Sequence, residues 1–371
     1  MDGGDGRGEL DGLRGRLDEI NAAVLRLLCE RGRIVARVRD LKERSGAEMF
    51  NPAREREMLD ALVAANEGPF PDAVVRHLFK EVFRASLAMM ERSGVEALRV
   101  ARGSGPEVVV RVGDRAIGGE RPVLIAGPCA VEDEEQVRTV AHALAAMGVE
   151  FLRGGAFKPR TSPYAFQGLG EEGLRMLSEA GREAGLATVS EVVDTRTVEV
   201  VARYVDVLQV GSRNMANYEL LKAVAVAGKP VLLKRGFAAT LDEFLQAAEY
   251  LALAGNEQIV LCERGIRTFE RETRYTLDLA AVPLLRRMSR LPVVVDASHA
   301  AGRRDILPAL SRAAFAAGAD GLMLEVHPRP EVARSDSQQQ LDLPSFAALA
   351  TELEPLRCRR YPAPCAGGGA P

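Results

Sequence analysis

Eight short apolar runs recur along most of the chain, and they constrain its fold more than any other feature of the sequence. The runs span 122–128, 150–154, 186–191, 206–211, 230–235, 258–263, 292–298 and 321–327, with helical patterns between them. Strands that are apolar on both faces need cover on both faces, as in a parallel sheet flanked by helices. Eight such units in about 250 residues predict an α/β fold, a closed (β/α)8 barrel of the TIM type. An open, doubly wound sheet is the alternative.

A helical periodicity precedes these runs. From Leu10 to Leu41 apolar residues recur at steps of three and four, which predicts one long helix with an apolar seam. At ~1.5 Å per residue this helix would be about 50 Å long, more than a compact domain needs, so we expect it to pair with a second chain. Asn51 and Pro52 suit the cap and first turn of a second helix, and a third is expected over about 72–91.

The change of periodicity also predicts the domain organisation. Residues 1–92 form an all-helical domain, 93–107 a linker, and 108–357 the barrel, which opens with a hairpin at 108–119. The tail at 358–371 is rich in Gly and Pro, so it is expected to be disordered.

Composition and charge exclude several classes of function. The formal net charge is −3 and no basic tail is present, so we expect neither nucleic acid nor a membrane surface as a partner. No segment is long and apolar enough to cross a bilayer. The five cysteines are scattered and odd in number, which argues against a disulfide framework and favours a cytoplasmic location.

Reactive or charged side chains follow every apolar run. Alone, each would more often be a solvated loop residue, but a barrel gathers eight strand ends at one rim. The loop 151–170 adds three cations with no acid near them. Six cations at one rim suit two phosphorylated substrates, or one with a phosphate and a carboxylate beside a second phosphate. They are Arg153, Lys158, Arg160, Arg213, Lys234 and Arg264.

The same rim offers a mixed set of metal ligands. Cys129, His299, Glu325 and a downstream acid would supply a thiolate, an imidazole and carboxylates. Such a set suits a divalent transition metal, although the wide spacing gives no local motif.

Residues 108–357 resemble the 3-deoxy-D-arabino-heptulosonate 7-phosphate (DAHP) synthases of the type I, β-like branch. The resemblance rests on AGPCAVE at 126–132, FLRGGAFKPRTSPYAFQGLG at 151–170, QVGSRNMAN at 209–217, CERGIRTFE at 262–270, VDASHAAGRR at 295–304 and SDSQQQL at 335–341. It implies a (β/α)8 barrel that condenses phosphoenolpyruvate with erythrose 4-phosphate and releases phosphate, the first step of the shikimate pathway to aromatic amino acids. It also implies a homo-oligomer, usually a tetramer.

The resemblance further implies a role for each residue of the rim. The metal ligands would be Cys129, His299, Glu325 and Asp336, and manganese, iron, cobalt and zinc all remain open. Phosphoenolpyruvate would be held by Arg153, Lys158, Arg213, Lys234 and Arg264. Arg160 and Thr161 would bind the phosphate of erythrose 4-phosphate, and the catalytic set would be Lys158, Glu191 and His299. The related 3-deoxy-D-manno-octulosonate 8-phosphate synthases are disfavoured because Pro159 stands where they carry Ala-Asn.

Residues 10–91 resemble the all-helical class of chorismate mutase. Chorismate or prephenate would be bound by Arg14, Arg31, Lys42, Arg54, Glu55 and Ser86, with Arg14 reaching into the partner's site in a dimer. Met90 occupies the position of a Gln or Glu that donates a hydrogen bond to the ether oxygen, and a thioether cannot donate. We therefore expect a binding module with weak or absent mutase turnover that regulates the barrel. A fully bifunctional enzyme and a domain used only for dimerisation are the alternatives.

Overall fold

The computed structural model describes residues 5–45, 51–96, 98–159 and 162–357. By their contacts the residues fall into two compact units, Met1–Gly94 and Val95–Pro371. Among the described residues, no helix is long and apolar enough to cross a membrane.

The first unit consists of helices, as the periodicity predicts. They are α1 (Asp5–Ser45), α2 (Pro52–Ala64) and α3 (Asp72–Glu96). The predicted cap of α2 is confirmed, because the Asn51 side chain accepts hydrogen bonds from the backbone N–H groups of Ala53 and Arg54. The apolar seam of α1 faces solvent in the single chain, where its large side chains, such as Leu17 and Leu27, are 41 to 65% exposed.

The second unit contains a closed parallel barrel, which confirms the predicted fold and excludes the open sheet. Its strands are β3 (Val123–Gly127), β4 (Phe151–Arg153), β5 (Ala187–Val192), β6 (Val207–Val210), β7 (Val231–Lys234), β8 (Ile259–Glu263), β9 (Val293–Asp296) and β10 (Gly321–Glu325). Each strand pairs with the next, and β10 closes the ring on β3 with Gly321 opposite Val123. These strands are almost entirely buried, as their apolar sequences require.

Helices cover the outside of the barrel between successive strands. They are α4 (Glu134–Ala146), α5 (Glu171–Ala184), α6 (Val198–Tyr204), α7 (Tyr218–Val226), α8 (Leu241–Leu253), α9 (Ala281–Met288), α10 (Ala297–Ala301), α11 (Leu307–Ala316) and α12 (Leu343–Arg357). Several begin with side-chain caps; in α8, Thr240 and Glu243 form a reciprocal capping box.

The predicted hairpin is present at the amino ends of the barrel strands. It consists of β1 (Val110–Val112) paired antiparallel with β2 (Arg115–Ile117). The backbone N–H of Val108 donates to the carbonyl of Arg290, just before β9. Since the hairpin lies at this end, the carboxyl ends of the strands are left to form a site.

The segment that composition assigns to a linker is packed against the barrel. Leu98, Val100 and Ala101 are buried in the barrel's core cluster. The buried carboxylate of Glu249 on α8 accepts hydrogen bonds from the backbone N–H groups of Arg99 and Val100, at 3.1 and 3.2 Å. The connection is therefore fixed to the barrel by main-chain hydrogen bonds.

Candidate active site

Four side chains able to bind a metal meet at the carboxyl ends of the barrel strands. Cys129 follows β3, His299 lies in α10 directly after β9, Glu325 ends β10, and Asp336 lies in the loop beyond it. One ligand atom from each residue lies within 4.8 Å of the others. The structure thus brings together the four residues that the sequence separates widely.

A glycine next to this cluster allows two strands to approach closely. Gly127 has φ 151°, and a Cβ atom at this position would lie 2.0 Å from the carbonyl oxygen of Arg153. No other residue fits there without moving the backbone. The close approach of β3 and β4 sets Arg153 beside the chain that leads to Cys129.

A buried carboxylate lies behind His299. Oδ2 of Asp296 lies 2.8 Å from Nδ1 of His299, while Nε2 faces Glu325 at 3.2 Å. Burial lowers the pKa of His299 against the opposing effect of Asp296 and Glu325. A carboxylate behind Nδ1 favours the proton there and leaves the lone pair of Nε2 directed at the cluster.

Glu325 is ionised within the barrel. Burial alone would raise its pKa, but His299 and Arg153 outweigh burial and hold the pKa of this carboxyl below its usual value. Arg153 donates to Oε1 of Glu325 at 2.8 Å, and Gln339 donates to Oε2. Hydrogen bonds to both oxygens fix the direction in which the carboxylate can bind a ligand.

Cys129 is a buried thiol surrounded by polar groups. Its sulfur lies 2.9 Å from Oγ of Ser335 and accepts from Nζ of Lys158 at 3.2 Å. Burial, and then the charge of Glu325, raise the pKa of the thiol to about 12. Burial thus favours the protonated thiol, and a bound transition metal would favour the thiolate.

The donor set fits a divalent transition metal. It combines one sulfur, one imidazole nitrogen and two carboxylates at carboxyl ends of strands. Soft and hard donors in one cluster suit manganese, iron, cobalt or zinc better than magnesium or calcium, which prefer oxygen donors throughout.

A cationic cavity of about 260 Å³ lies beside this cluster. Its lining includes Lys158, Glu191, Arg213, Lys234, Arg264, His299 and Asp336. Arg153 is buried beneath it on Glu325, and Lys234 contacts the buried carboxylate of Asp296 at 2.5 Å. The cavity therefore has the charge and the size for a small molecule with two anionic groups.

Arg264 is a buried arginine with few hydrogen bonds to the described protein. It is 4% exposed. Its Nη2 reaches the carbonyl of His299 only at 3.4 Å. Among the described residues, no acceptor lies within hydrogen-bonding distance of its Nη1. Burial lowers the pKa of Arg264, which indicates that this cation is poorly compensated within the described protein.

Glu191 is positioned by another glycine. A Cβ atom on Gly211, directly after β6, would lie 2.0 Å from Oε1 of Glu191. Gln209 contributes a long contact of 3.5 Å to Oε2. The carboxylate thus occupies the space that a side chain at 211 would fill.

Two of the expected phosphate-binding residues, Arg160 and Thr161, lie outside the described residues. The neighbouring Lys158 is described, and its Nζ donates to the carbonyl of Cys129 at 2.9 Å.

In the helical unit, two of the expected ligand-binding residues come together. Arg31 on α1 donates to Oγ of Ser86 on α3, and its guanidinium lies 4.9 Å from the ring centroid of Phe83. Burial lowers the pKa of Arg31.

The other expected residues of this unit lie at various places on the helices. Arg14 and Arg54 are exposed and pair within their own helices, with Asp11 and Glu57. Glu55 is half-buried on α2 and Lys42 half-buried near the end of α1. Met90 lies on α3, and its side chain is outside the described residues.

Sequence reasoning did not find every polar residue at the barrel rim. Asp296 ends β9, but its contacts with both Lys234 and His299 depend on the folded barrel. Gln339 contacts Glu325, and Arg274 contacts Asp336. Nothing in the sequence around these two loop residues indicates those contacts. The short segment VDASH does place an acid three residues before a histidine, which is the one local clue.

Comparison with known proteins relates both units to enzyme families. Residues 104–358 match the DAHP synthetase I family, and residues 13–91 match chorismate mutase type II. A phospho-2-dehydro-3-deoxyheptonate aldolase of Thermotoga maritima is 52% identical over 69% of this chain and 76% of its own. A 2-dehydro-3-deoxyphosphooctonate aldolase of Syntrophotalea carbinolica is 36% identical over 66% of this chain and 94% of its own.

Solved structures agree with these matches. The crystal structure of the Thermotoga maritima DAHP synthase superposes with a TM-score of 0.68 at 51% identity and covers 69% of this chain and 76% of that one. A truncated form of the enzyme from the same organism gives a TM-score of 0.65 at 47% identity, covering 69% of this chain and 95% of that one. The chain therefore belongs to the DAHP synthetase I family and carries a chorismate mutase type II domain before its barrel.

Proposed function

We propose that the barrel condenses phosphoenolpyruvate with erythrose 4-phosphate at the cationic cavity, with a divalent metal held by Cys129, His299, Glu325 and Asp336. The observation that carries the proposal is the meeting of these four ligand atoms within 4.8 Å beside a cavity lined with cations. When bound, the metal would supply Lewis-acid polarisation of the aldehyde oxygen.

The protein's own residues supply binding and orientation. Arg213, Lys234 and Arg264 line the cavity and Arg153 lies beneath it, so that phosphate and carboxylate groups of phosphoenolpyruvate are fixed from several sides. Holding two substrates in one mouth lowers the entropic barrier to a bimolecular carbon–carbon bond formation. Arg160 and Thr161 are assigned to the phosphate of the second substrate.

Lys158 and Glu191 are the groups placed to hold or move a proton. The ammonium of Lys158 lies against the carbonyl and sulfur of Cys129, at the boundary between the metal cluster and the cavity. Glu191 lies in the same lining. Both can therefore reach a ligand that fills the cavity.

A two-substrate assay tests the barrel. The metal-loaded protein is expected to form DAHP and phosphate in equal amounts from phosphoenolpyruvate and erythrose 4-phosphate, and chelation should abolish the reaction. Cys129→Ala should do the same, whereas Cys262→Ala, a change at a second buried thiol outside the ligand cluster, should retain activity. Full activity of Cys129→Ala, or a preference for a pentose phosphate, would overturn the assignment.

For the helical unit we infer a ligand-binding role, in which chorismate or prephenate binds at Arg31 and regulates the barrel. Support comes from Arg31. Its partly buried guanidinium lies over the Phe83 ring and donates to Ser86, and no carboxylate is among the contacts described for it. A dicarboxylate would compensate that charge. Weak mutase turnover is expected, because Met90 cannot donate to the ether oxygen.

Two measurements separate a regulatory role from a catalytic one. Prephenate should inhibit the wild-type synthase, and Arg31→Ala should relieve that inhibition while retaining uninhibited synthase activity. Chorismate consumption should be slow and should rise in Met90→Gln. Brisk turnover by the wild type, with no gain in Met90→Gln, would support a fully bifunctional enzyme.

The exposed apolar seam of α1 supports a dimer through this helix.

A further inference from the structure

An aromatic pair lies at the edge of the cationic cavity. Phe237, three residues after β7, and Tyr275, in the loop after β8, stack with ring centroids 4.9 Å apart and an interplanar angle of 5°. Both side chains line the cavity beside Arg213, Lys234 and Arg264. The metal and substrate assignments above use neither ring.

The faces of this pair collect guanidinium groups. The guanidinium carbon of Arg264 lies 4.2 Å from the Tyr275 centroid and 5.0 Å from that of Phe237. That of Arg213 lies 5.5 Å from Phe237. These distances fall within the range of cation–π attraction, which comes from the negative face of the ring and strengthens when water is excluded.

The backbone brings the two rings together by specific contacts. Phe237 accepts a hydrogen bond at its carbonyl from the N–H of Arg267 at 2.7 Å, and Tyr275 donates its N–H to the carbonyl of Ala300 at 2.8 Å. Gly265 has φ 90°, and a Cβ atom there would lie 2.8 Å from Cβ of Tyr275. The loop after β8 can return to Phe237 because residue 265 has no side chain.

Arg235, a neighbouring buried arginine, is paired with carboxylates instead of aromatic rings. The guanidinium of Arg235 is buried beside Glu263 and Asp278, each at 2.9 Å, and its Nε donates to the carbonyl of Ala239. Its donors are thereby used within the protein. Arg264 instead has one long hydrogen bond to the protein, and its guanidinium carbon lies nearest to the Tyr275 ring, at 4.2 Å, beside the edge of Phe237.

The contrast has a chemical reason. A carboxylate partner occupies the in-plane N–H donors of a guanidinium and competes with an anionic ligand for them. A ring face contacts the flat side of the guanidinium and leaves the five N–H donors available. Aromatic support therefore suits a cation that must orient before an anion arrives.

We propose that Phe237 and Tyr275 are positioning residues that hold the guanidinium groups of Arg264 and Arg213 on their ring faces, with the N–H donors free for the anionic groups of phosphoenolpyruvate. The proposal rests on the assignment of the cavity to phosphoenolpyruvate. The rings act through the arginines and do not touch the reacting atoms.

A double-mutant cycle tests this coupling, with kcat/KM for phosphoenolpyruvate measured from initial rates on the metal-loaded full chain. Tyr275→Leu should lower kcat/KM by roughly 3- to 30-fold, the range expected for one desolvated cation–π contact. Most of the loss should be a rise in KM. Tyr275→Phe, which retains the ring, should match the wild type within about twofold.

The decisive arm is the same change in an Arg264→Ala background. If Tyr275 acts through Arg264, Tyr275→Leu should then change kcat/KM by less than about twofold. An equal loss in both backgrounds, or an equal loss in Tyr275→Phe, would overturn the inference. The KM for erythrose 4-phosphate and the metal affinity should not change in any Tyr275 variant, and a change in either would also contradict it.

Phe237→Leu provides an independent arm because the Phe237 centroid lies within 5.9 Å of the guanidinium carbons of three arginines, Arg213, Arg264 and Arg267. It should raise the KM for phosphoenolpyruvate at least as much as Tyr275→Leu, with equilibrium dialysis of phosphoenolpyruvate giving the same order. If the wild-type protein does not bind phosphoenolpyruvate at all, the proposed function fails. If it binds and the cycle shows no coupling, only the role of the rings fails.

Discussion

At the scale of single residues, the site depends on glycines, which have no side chain, as well as on its charged residues. Gly127 and Gly211 each leave the space that a neighbouring carbonyl or carboxylate occupies, at 2.0 Å from the Cβ position. Asp296 contacts both His299, a candidate metal ligand, and Lys234, which lines the cavity. A side chain at Gly211 would meet the flexible end of Glu191 and should affect function before folding, whereas one at Gly127 would displace the backbone of the barrel.

Gly211→Ala should reduce activity with little loss of stability. The new Cβ would displace the carboxylate of Glu191, which lies at the flexible end of its side chain, so the fold can adjust while the carboxylate moves. Misplacing a reacting group by about 1 Å can reduce the rate by up to about 100-fold. Steady-state kinetics and urea denaturation measure the two effects. Gly103→Ala, with open space at the Cβ position, is the control, and equal kinetics in both variants would contradict the role of Glu191.

Asp296→Asn should weaken metal binding. The amide retains the shape of the side chain but loses the negative charge that contacts Nδ1 of His299 and Nζ of Lys234. Changes of this kind reduce metal affinity by about 10- to 100-fold. Metal titration by calorimetry checks this. Asp305→Asn makes the same chemical change at an exposed aspartate that pairs with Arg303, and it should bind metal as the wild type does.

At the scale of the elements, the sequence predicts the strands well because their burial leaves a strong local pattern. All eight apolar runs contain the observed strands apart from Val192, one residue beyond its predicted run. What the pattern does not reveal is which side chain of one element contacts the next. The hydrogen bond from the backbone N–H of Val100 to the Glu249 carboxylate joins positions far apart in the sequence. The sequence around a buried glutamate on an amphipathic helix does not indicate which residue it will contact.

Glu249→Ala should destabilise the barrel. It removes the acceptor of two backbone N–H groups, of which that of Val100 is buried, and an unsatisfied buried donor costs about 1–3 kcal/mol. The midpoint of the urea transition should fall. Glu249→Gln retains one acceptor oxygen and should lose less. A variant that unfolds at the wild-type urea concentration would show that these hydrogen bonds contribute little to holding the connection.

At the scale of the whole molecule, two units of different architecture share one chain, and each was predictable from its own periodicity. The strand ends alone predicted Cys129, His299 and Glu325 as metal ligands, whereas Asp336, in the loop after β10, was predicted only through the resemblance. The aromatic pair was not predicted, since neither Phe237 nor Tyr275 belongs to a polar or charged pattern. The exposed apolar seam of α1 is the feature that suggests assembly of several chains.

If chains pair through α1 as proposed, Leu17→Glu should dissociate them. Leu17 is 59% exposed in the single chain, and a buried unpaired carboxylate at a helix interface is strongly unfavourable. Sedimentation equilibrium should give half the wild-type mass. Arg16→Glu, one position along the helix and exposed, is the matched control and should leave the mass unchanged. A Leu17→Glu protein with the wild-type mass would place the interface elsewhere.

Closure of the ring by β10 on β3 has a consequence during synthesis on the ribosome. Cys129 emerges early, but Glu325 and Asp336 follow about 200 residues later in the chain, so a nascent polypeptide holds only part of the coordination sphere until its last strand is released. Premature termination anywhere before residue 336 therefore yields a chain that cannot assemble this centre. Metal binding at the proposed site would thus come only after residue 336 has been made.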